Sequence, residues 1–547
     1  MKKRLETLLQ HALETAQKGG ALKSKSLPPL FFEVPRDPAF GDLASTVALG
    51  MAREERAAPR VIAERIVAHL DDRDGILKSV EVAGPGYINF HFSQRFWIDS
   101  LLDIGRESDG PSPFGKGRRA LVEFVSANPT GPLTVGHGRN AVLGDALSRL
   151  LEATGHEVTR EYYFNNAGRQ MKVLGQSVRA RYCEQIGVPC EFPEGGYQGE
   201  YISTIAAELV AKHGDSLRNA PAEGPFKAAA EQAIFAEIKQ TLVRLGINFD
   251  SYFNEDSLYA DGHIEAVLAE LRKRDLAFDH EGAVWLRGEP LGLEKDRVLV
   301  KSSGEPAYRL PDIAYHKLKL GRGFDMIIDV LGADHIAEHQ EVRVALSGLG
   351  LDVESIKAII YQFVTLTRGG VQVKMSTRRA EYITVDELLD EVGRDVARFF
   401  FLTRKADTHL EFDLDLAKKQ SADNPVFYVQ YAHARVCSLE RQPGTADVRE
   451  ATAADLETLS APEETALIKL LAQYGDIVEE AAAMLEPHRV VFYLVDLASE
   501  FHRFYNRHRI LIDDEQRSAA RLFLARALRS VVRRGLNLVG VSAPETM

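Results

Sequence analysis

The sequence predicts a multidomain α/β protein with a parallel sheet at its centre and a helical C-terminal part. Three observations predict it. Between residues 120 and 164 an apolar run, a helical period and a second apolar run follow in close succession; strand-like runs return as far as Leu366; none appears after about Asn424. A strand, a helix and a strand within about 45 residues form a βαβ unit, which requires parallel pairing. A chain of 547 residues has room for about three or four domains.

Taken in order, residues 1–16 place Leu5, Leu8, Leu9, Ala12, Leu13 and Ala16 at helical intervals, with polar side chains between them. That pattern is an amphipathic helix, not a signal peptide. Asp109-Gly-Pro-Ser-Pro-Phe-Gly-Lys-Gly117 breaks any regular element and closes a first domain, 1–110. A strand is expected over 120–125, a loop over 126–135, and a helix over 136–154 with Val142, Ala146, Leu150 and Leu151 on one face. Gly155 stops the helix, and a second strand covers 158–164. The Pro/Gly-rich stretch 187–199 and the helical segments after it read as an insertion, about 187–285, between the halves of one nucleotide-binding sheet. Further strands of that sheet are expected at 298–301, 326–331 and 358–366, which makes 111–423 one domain. The remainder, 424–547, is helical apart from a polar loop at 442–464.

A net charge of −12 argues against a polyanionic partner, but it averages over local fields. Residues 501–534 hold nine arginines against three acids, interleaved with Phe501, Phe504, Tyr505 and Phe523. This is either a solvated face over a buried aromatic stripe or a surface that follows phosphates. The three cysteines, Cys183, Cys190 and Cys437, include no C-x-x-C pair, which speaks against a disulfide framework and a structural zinc site. No apolar run reaches the roughly eighteen residues of a membrane span. A cytoplasmic protein without a membrane partner is expected.

The loop after the first strand, Ser126-Ala-Asn-Pro-Thr-Gly-Pro-Leu-Thr-Val-Gly-His-Gly138, leads into the helix. Gly131, Gly136 and Gly138 lack a Cβ, so a base or phosphate can lie on the backbone, where the N–H groups of a helix start favour an anion. His137 can add a hydrogen bond. A tight turn with a satisfied histidine fits the same residues. No G-K-[ST] occurs, which excludes a Walker loop. Gly136-x-Gly138-x-x-Ala141 with Glu161 fits the dinucleotide fingerprint, but about ten residues separate its glycines from the strand they should follow directly. In Arg368-Gly-Gly-Val-Gln-Val-Lys-Met-Ser-Thr-Arg378 the glycines suit a hairpin turn, and Lys374 then lies on a loop where it can grip triphosphate oxygens. An exposed basic loop is the alternative.

Together, Thr134-Val-Gly-His137 and Lys374-Met-Ser-Thr-Arg378 resemble the HIGH and KMSKR signatures of class I aminoacyl-tRNA synthetases, with Thr134 and Thr377 departing from the usual His and Lys. Glu123-Phe-Val-Ser-Ala-Asn-Pro-Thr-Gly131, Glu161-Tyr-Tyr-Phe-Asn-Asn-Ala-Gly168, Tyr308-Arg-Leu-Pro-Asp-Ile-Ala-Tyr-His316, Leu331-Gly-Ala-Asp-His335 and Asp423-Asn-Pro-Val-Phe-Tyr-Val-Gln-Tyr-Ala-His-Ala-Arg435 are similar to the arginyl-tRNA synthetases in particular. The resemblance implies a Rossmann-like parallel-sheet catalytic domain, an N-terminal α+β additional domain that contacts tRNA, and a C-terminal all-α anticodon-binding bundle. It implies activation of L-arginine by ATP with Mg²⁺, then transfer to tRNA(Arg). On this basis His137, Lys374 and Thr134 are catalytic. Gly136, His137, Lys374 and Ser376 bind ATP, with its ribose at Gly332 and Asp334; Glu123, Asn128, Tyr308 and Asp312 bind arginine; and Tyr428, Tyr431, Arg435, Arg529 and Arg533 bind tRNA. No metal site of the protein's own is expected, and the protein is expected to be a monomer. The residues alone leave open a helix cap at Asp334, structural ion pairs at Glu123 and Asp312, and core packing of the tyrosines. An oxidoreductase using the glycine fingerprint and a catalytically silent tRNA-binding relative are the rival readings.

Overall fold

The computed structural model describes residues 1–24, 26–106, 112–166, 168–373 and 383–547. At its centre five strands pair in parallel: β1 (Arg119–Glu123), β2 (Glu157–Phe164), β3 (Ser251–Asn254), β4 (Met326–Gly332) and β5 (Ile356–Tyr361), in the spatial order β5-β4-β1-β2-β3. The direction of the crossovers reverses beside β1, which opens a crevice at the C-terminal ends of β1 and β4. Ala120, Leu121 and Val122 are buried, as in a strand covered on both faces. Helix α1 (Val135–Ala153) makes the first crossover. It lies close to the β1 exit because Gly144 has no side chain: a Cβ there would stand 2.1 Å from the ring of Phe124. Gly155, at φ +89°, turns the chain into β2.

Three expectations change. The 298–301 run forms Arg297–Val300, which belongs to a separate antiparallel sheet with Ala277–His280 and Ala283–Leu286. A short apolar run carries no mark of its pairing partner. The 358–366 run divides at Gln362: its first part is β5, and its second, Val364–Arg368, joins Val371–Gln372 and Leu410–Asp413 in a third small sheet. Finally, β3 lies inside the stretch read as an insertion. Three helices (Gly168–Gln185, Glu200–His213, Lys227–Arg244) precede it and two more (Asp256–Ala260, His263–Lys273) follow. The expected Gly-Gly hairpin is present, with Gly369 at φ +58° and Gly370 at φ +72° between the paired Arg368 and Val371.

The N-terminal domain is a four-stranded antiparallel sheet (Phe32–Glu33, Leu43–Ser45, Leu77–Ala83, Tyr87–Phe92) packed with helices that include Lys2–Lys18. Two helices flank the crevice, α2 (Arg309–Gly321) and α3 (Ile336–Gly348). The helical C-terminal domain contains α4 (Pro425–Glu440), α5 (His488–Arg507) and α6 (Glu515–Leu538), and the polar loop at 442–464 holds a short helix, Ala453–Leu456. The N-terminal domain docks on it: Lys469 Nζ lies 2.5 Å from Asp42, and the ring of Phe523 occupies the space a side chain at Gly105 would need. Among the described residues no helix is long and apolar enough to cross a membrane.

Arg398 joins the parts. Fully buried, it donates to Asp145 Oδ2 on α1 at 2.5 Å, to the carbonyl of Leu245 at 2.9 Å and to that of Val539, beyond α6, at 3.0 Å. Burial alone would raise the Asp145 carboxyl, but Arg398 and Arg149 hold it below its ordinary range. Arg398→Ala should therefore cost about 3–5 kcal/mol and lower the thermal midpoint of the full chain by several degrees. An unchanged melting curve would remove the arginine from this role.

Candidate functional site

Strand register sets three carboxylates side by side: Glu161 on β2, Glu123 on β1 and Asp329 on β4. Like charges on adjacent strands repel. Helix α2 and the residue after it lay Tyr315, Lys319 and Arg322 over this row, at a spacing that keeps them on one face. Tyr315 donates to Glu161 at 2.8 Å, Arg322 reaches both oxygens of Glu161 at 2.8 Å, and the fully buried Lys319 pairs with Glu123 and lies 2.6 Å from Asp329. Burial would lower the Lys319 ammonium, but Asp329 and Glu123 together raise it. Glu161, fully buried, also accepts from Ser251 at 2.8 Å, so it has no oxygen left for a ribose, and the dinucleotide reading loses its acid.

His316 and His339 both approach Asp329 Oδ2 at 3.1 Å. His316 also donates from Nδ1 to the carbonyl of Asp312 at 2.8 Å. Donation from both ring nitrogens makes it an imidazolium; burial and Lys319 oppose the charge, and Asp329 outweighs them, so its pKa is raised. The three ligand atoms lie within 4.8 Å of one another. With Lys319 already on the same carboxylate, they form a hydrogen-bonded cluster with little need of a cation.

Next to this cluster lies a cavity of about 510 Å³, lined by residues from the β1 and β4 ends, the start of α1, and α2 and α3. Asp312 faces it from the first turn of α2, and its carboxyl has no hydrogen-bond or ion-pair partner among the described residues. Burial, then the charges of Glu338, Glu255 and Glu123, push its carboxyl up to about 7 against the opposing His316. Glu255, directly beyond β3, is only 6% exposed and is likewise raised to about 7 by burial. It stands by the Tyr163 hydroxyl, which is buried without a hydrogen bond of normal geometry. Sequence reasoning missed Glu255 because it missed β3; a carboxylate at the C-terminal end of a parallel strand would have been the signal. The site therefore has more acid than base and suits a cationic ligand. Of the four expected arginine-binding residues, Asn128, Tyr308 and Asp312 line the cavity, with Tyr308 62% exposed at its mouth. Glu123 lines it too, but its oxygens already engage Lys319 and the Ser126 hydroxyl, so it is a structural partner of Lys319 rather than an open carboxylate.

The loop from β1 to α1 is held under strain. Val125 (φ +66°) and Ser126 (φ +40°) are both left-handed, which costs a β-branched valine about 1–3 kcal/mol. Asn140 of α1 offsets this by accepting from the Val125 N–H at 2.7 Å while donating to the Val330 carbonyl at 2.9 Å, clipping β1 to β4 across the crevice. Thr134 is the N-cap of α1, and its backbone N–H donates to His137 Nδ1 at 3.1 Å. A backbone N–H can only donate, so the neutral ring carries its proton on Nε2. Burial lowers the His137 pKa to about 4, and the ring lines the cavity. A Cβ on Gly136 would meet only the Thr134 hydroxyl, at 3.8 Å. Gly138 is different: a Cβ there would lie 3.0 Å from Val385, so this glycine serves packing, not a phosphate.

Lys374 and Ser376 lie outside the described residues, as does Thr377. The chain just beyond them returns to the first motif: Thr384 bridges Thr134, and the Val385 N–H donates to the Leu133 carbonyl at 2.8 Å. Gly332 lines the cavity. The exposed Asp334 carboxylate folds over it, 2.5 Å from where a Cβ would stand, and makes no helix-cap bond.

On α4, Tyr431 is 40% exposed and stacks on His502, with centroids 5.6 Å apart. Tyr428 lies 4.5 Å from the same ring, and Arg435 covers Tyr431 and Tyr505. The aromatic stripe of 501–534 is mostly core, with Phe501 and Phe504 fully buried. Several of its arginines are ion-paired: Arg521 with Glu464, Arg507 with Glu463, and Arg526 and Arg529 with Glu440. Arg533 is exposed on α6.

The His137 geometry can be checked by NMR. The ring should titrate with a midpoint near 4 instead of 6.5 and stay in the Nε2–H form at neutral pH. A midpoint above 6 would contradict a half-buried ring that accepts the Thr134 N–H.

Comparison with known proteins agrees with this arrangement. Residues 3–92 match the family described as arginyl tRNA synthetase N terminal domain, 111–413 that of tRNA synthetases class I (R), catalytic domain, and 429–547 the DALR anticodon binding domain. An arginine–tRNA ligase of Desulfotalea psychrophila is 48% identical over 551 residues, and one of Syntrophotalea carbinolica 47% identical over 554, each alignment covering 100% of both chains. Among solved structures, the arginyl-tRNA synthetase of Thermus thermophilus shares the fold at a TM-score of 0.78 and 24% identity, covering 99% of this chain and 100% of its own. With matched domains over most of its length and full-length relatives near half identity, the chain belongs to the arginyl-tRNA synthetase family.

Proposed function

We propose that the protein is an arginine–tRNA ligase that converts arginine and ATP to arginyl-adenylate and pyrophosphate, then transfers the arginyl group to a hydroxyl of the 3′-terminal adenosine of tRNA(Arg) with release of AMP. The observation that carries this reading is the unpaired Asp312 carboxyl in the cavity that His137 lines. A guanidinium brings five donors in a planar fork and the positive charge the cavity lacks. Asp312 pairs with it, Glu255 stays behind Tyr163 as a neighbouring acid, Tyr308 and Asn128 border the entrance, and Glu123 acts through Lys319.

An oxygen of the arginine carboxylate attacks the α-phosphorus; the bond from that phosphorus to its bridging oxygen breaks, and pyrophosphate leaves with the electron pair. No protein nucleophile is needed, so catalysis is alignment and charge stabilisation. His137 donates Nε2–H to a phosphate oxygen as a neutral group, Thr134 fixes the ring, and Gly136 leaves the helix start open. Lys374 and Ser376 hold the departing phosphates, and Gly332 and Asp334 hold the ribose. Mg²⁺ brought with ATP would supply further positive charge to the triphosphate that Lys374 and Ser376 hold. Tyr428, Tyr431 and Arg435 stack on unpaired anticodon bases, while Arg529 and Arg533 meet phosphates. The division of labour follows 1–110 for additional tRNA contacts, 111–423 for catalysis and 424–547 for the anticodon. The protein works as a cytoplasmic monomer.

Because the guanidinium favours ionised Asp312, arginine affinity should fall about tenfold per unit as pH drops below about 7 and level off above it. Calorimetry at pH 7 should find about half a proton released per arginine bound; zero release would contradict the pairing. Asp312→Asn should weaken arginine at least about thirtyfold and leave ATP affinity nearly unchanged. Equal loss of both would place Asp312 outside the arginine pocket.

A further inference from the structure

Arg139 lies two positions beyond His137 on α1, on the side away from the cavity, and is fully buried. Its Nη1 donates to the Gln362 carbonyl at 2.6 Å, and its Nη2 to the carbonyls of Lys405 and Thr408, both at 3.0 Å. No carboxylate pairs with it among the described residues, and its Nε has no partner. Burial brings its pKa down to about 10, against the weaker opposing pull of Tyr361 and Asp407. Burying an unpaired guanidinium is costly, and an apolar side chain would fill the same space without that cost.

The positions of the three carbonyls explain what the cost achieves. Gln362 stands just ahead of strand Val364–Arg368, and Lys405 and Thr408 just ahead of Leu410–Asp413. These strands are parallel neighbours, with Val364 opposite Leu410, and their entries are tied by Gln362 N–H to Ala406 O at 2.9 Å. Beyond the first of them, the Gly369-Gly370 hairpin returns the chain to Val373, whose N–H donates to Leu366. A planar fork that binds all three carbonyls sets the distance and tilt of this strand pair relative to His137.

We propose that Arg139 is a positioning residue that locks the strand pair Val364–Arg368 and Leu410–Asp413 to the His137 helix, and so fixes where the hairpin delivers the chain at Val373 relative to His137 in the ATP site. This deepens the ligase reading and rests on it. The fork acts by geometry, so a single-point cation does not replace it.

Two full-length variants test this. Arg139→Lys keeps the charge but offers one compact donor; Arg139→Gln removes the charge. In both, amide exchange should quicken in 362–373 and 405–413 and stay unchanged in α2. In pyrophosphate exchange with tRNA present, kcat/KM for ATP should fall about a hundredfold, while the arginine dissociation constant stays within about twofold. Unchanged exchange and unchanged ATP kinetics in either variant would overturn the proposal. So would parallel loss of α2 protection and arginine affinity, or failure of both variants to fold, since Arg139 would then be a general stabiliser. If the parent protein showed no pyrophosphate exchange, the ligase reading would fall, and the amide-exchange pattern would still decide where Arg139 acts.

Discussion

The site depends on a row of carboxylates that the parallel sheet cannot leave unpaired. Register places Glu161, Glu123 and Asp329 on neighbouring strands, and α2 brings the groups that neutralise them. Once Tyr315, Lys319 and Arg322 are committed to that row, the position of α2 is set, and Asp312, one turn earlier on the same face, must point into the crevice. The fold thus supplies cations for three acids and none for the fourth. The shortage of positive charge beside Asp312 is created by the same helix that balances the rest.

Helix α1 provides the second constraint, through consecutive side chains that serve different partners. His137 turns to the cavity, Gly138 lets Val385 approach, Arg139 binds the small sheet, and Asn140 clips β1 to β4. Farther along, Asp145 meets Arg398 and through it the C-terminal domain. The left-handed pair Val125 and Ser126 persists because Asn140 and the Glu123–Ser126 bond hold both sides of the turn. Strain here has a structural cause that can be named, and it sits in the wall of the cavity that His137 and Asp312 also line.

The C-terminal arginines show how a charge run divides once it is folded. On α5, Phe501 and Phe504 face inward, and Glu440, Glu463 and Glu464 engage several arginines. Acids more than thirty residues away in the chain decided this, which local composition could not reveal. The aromatic group around His502 differs in keeping Tyr431 open to solvent under Arg435, an arrangement suited to stacking on a flat ring.

The sequence by itself determined the βαβ start, the hairpin at Gly369-Gly370, the helical C-terminal part and the family, because these depend on local period, turn chemistry and contiguous motifs. It also named Asp312 and His137, which sit in recognisable segments. Only the tertiary structure decided that Arg297–Val300 leaves the parallel sheet, that Ser251–Asn254 joins it, that Glu123 belongs to Lys319, and that Gly138 serves packing. It alone revealed Glu255 and Arg139. The physical reason is common to all of these: strand partners, counter-ions and close contacts are chosen across long separations in the chain, where hydrogen bonding and desolvation compare alternatives that no short stretch of sequence contains.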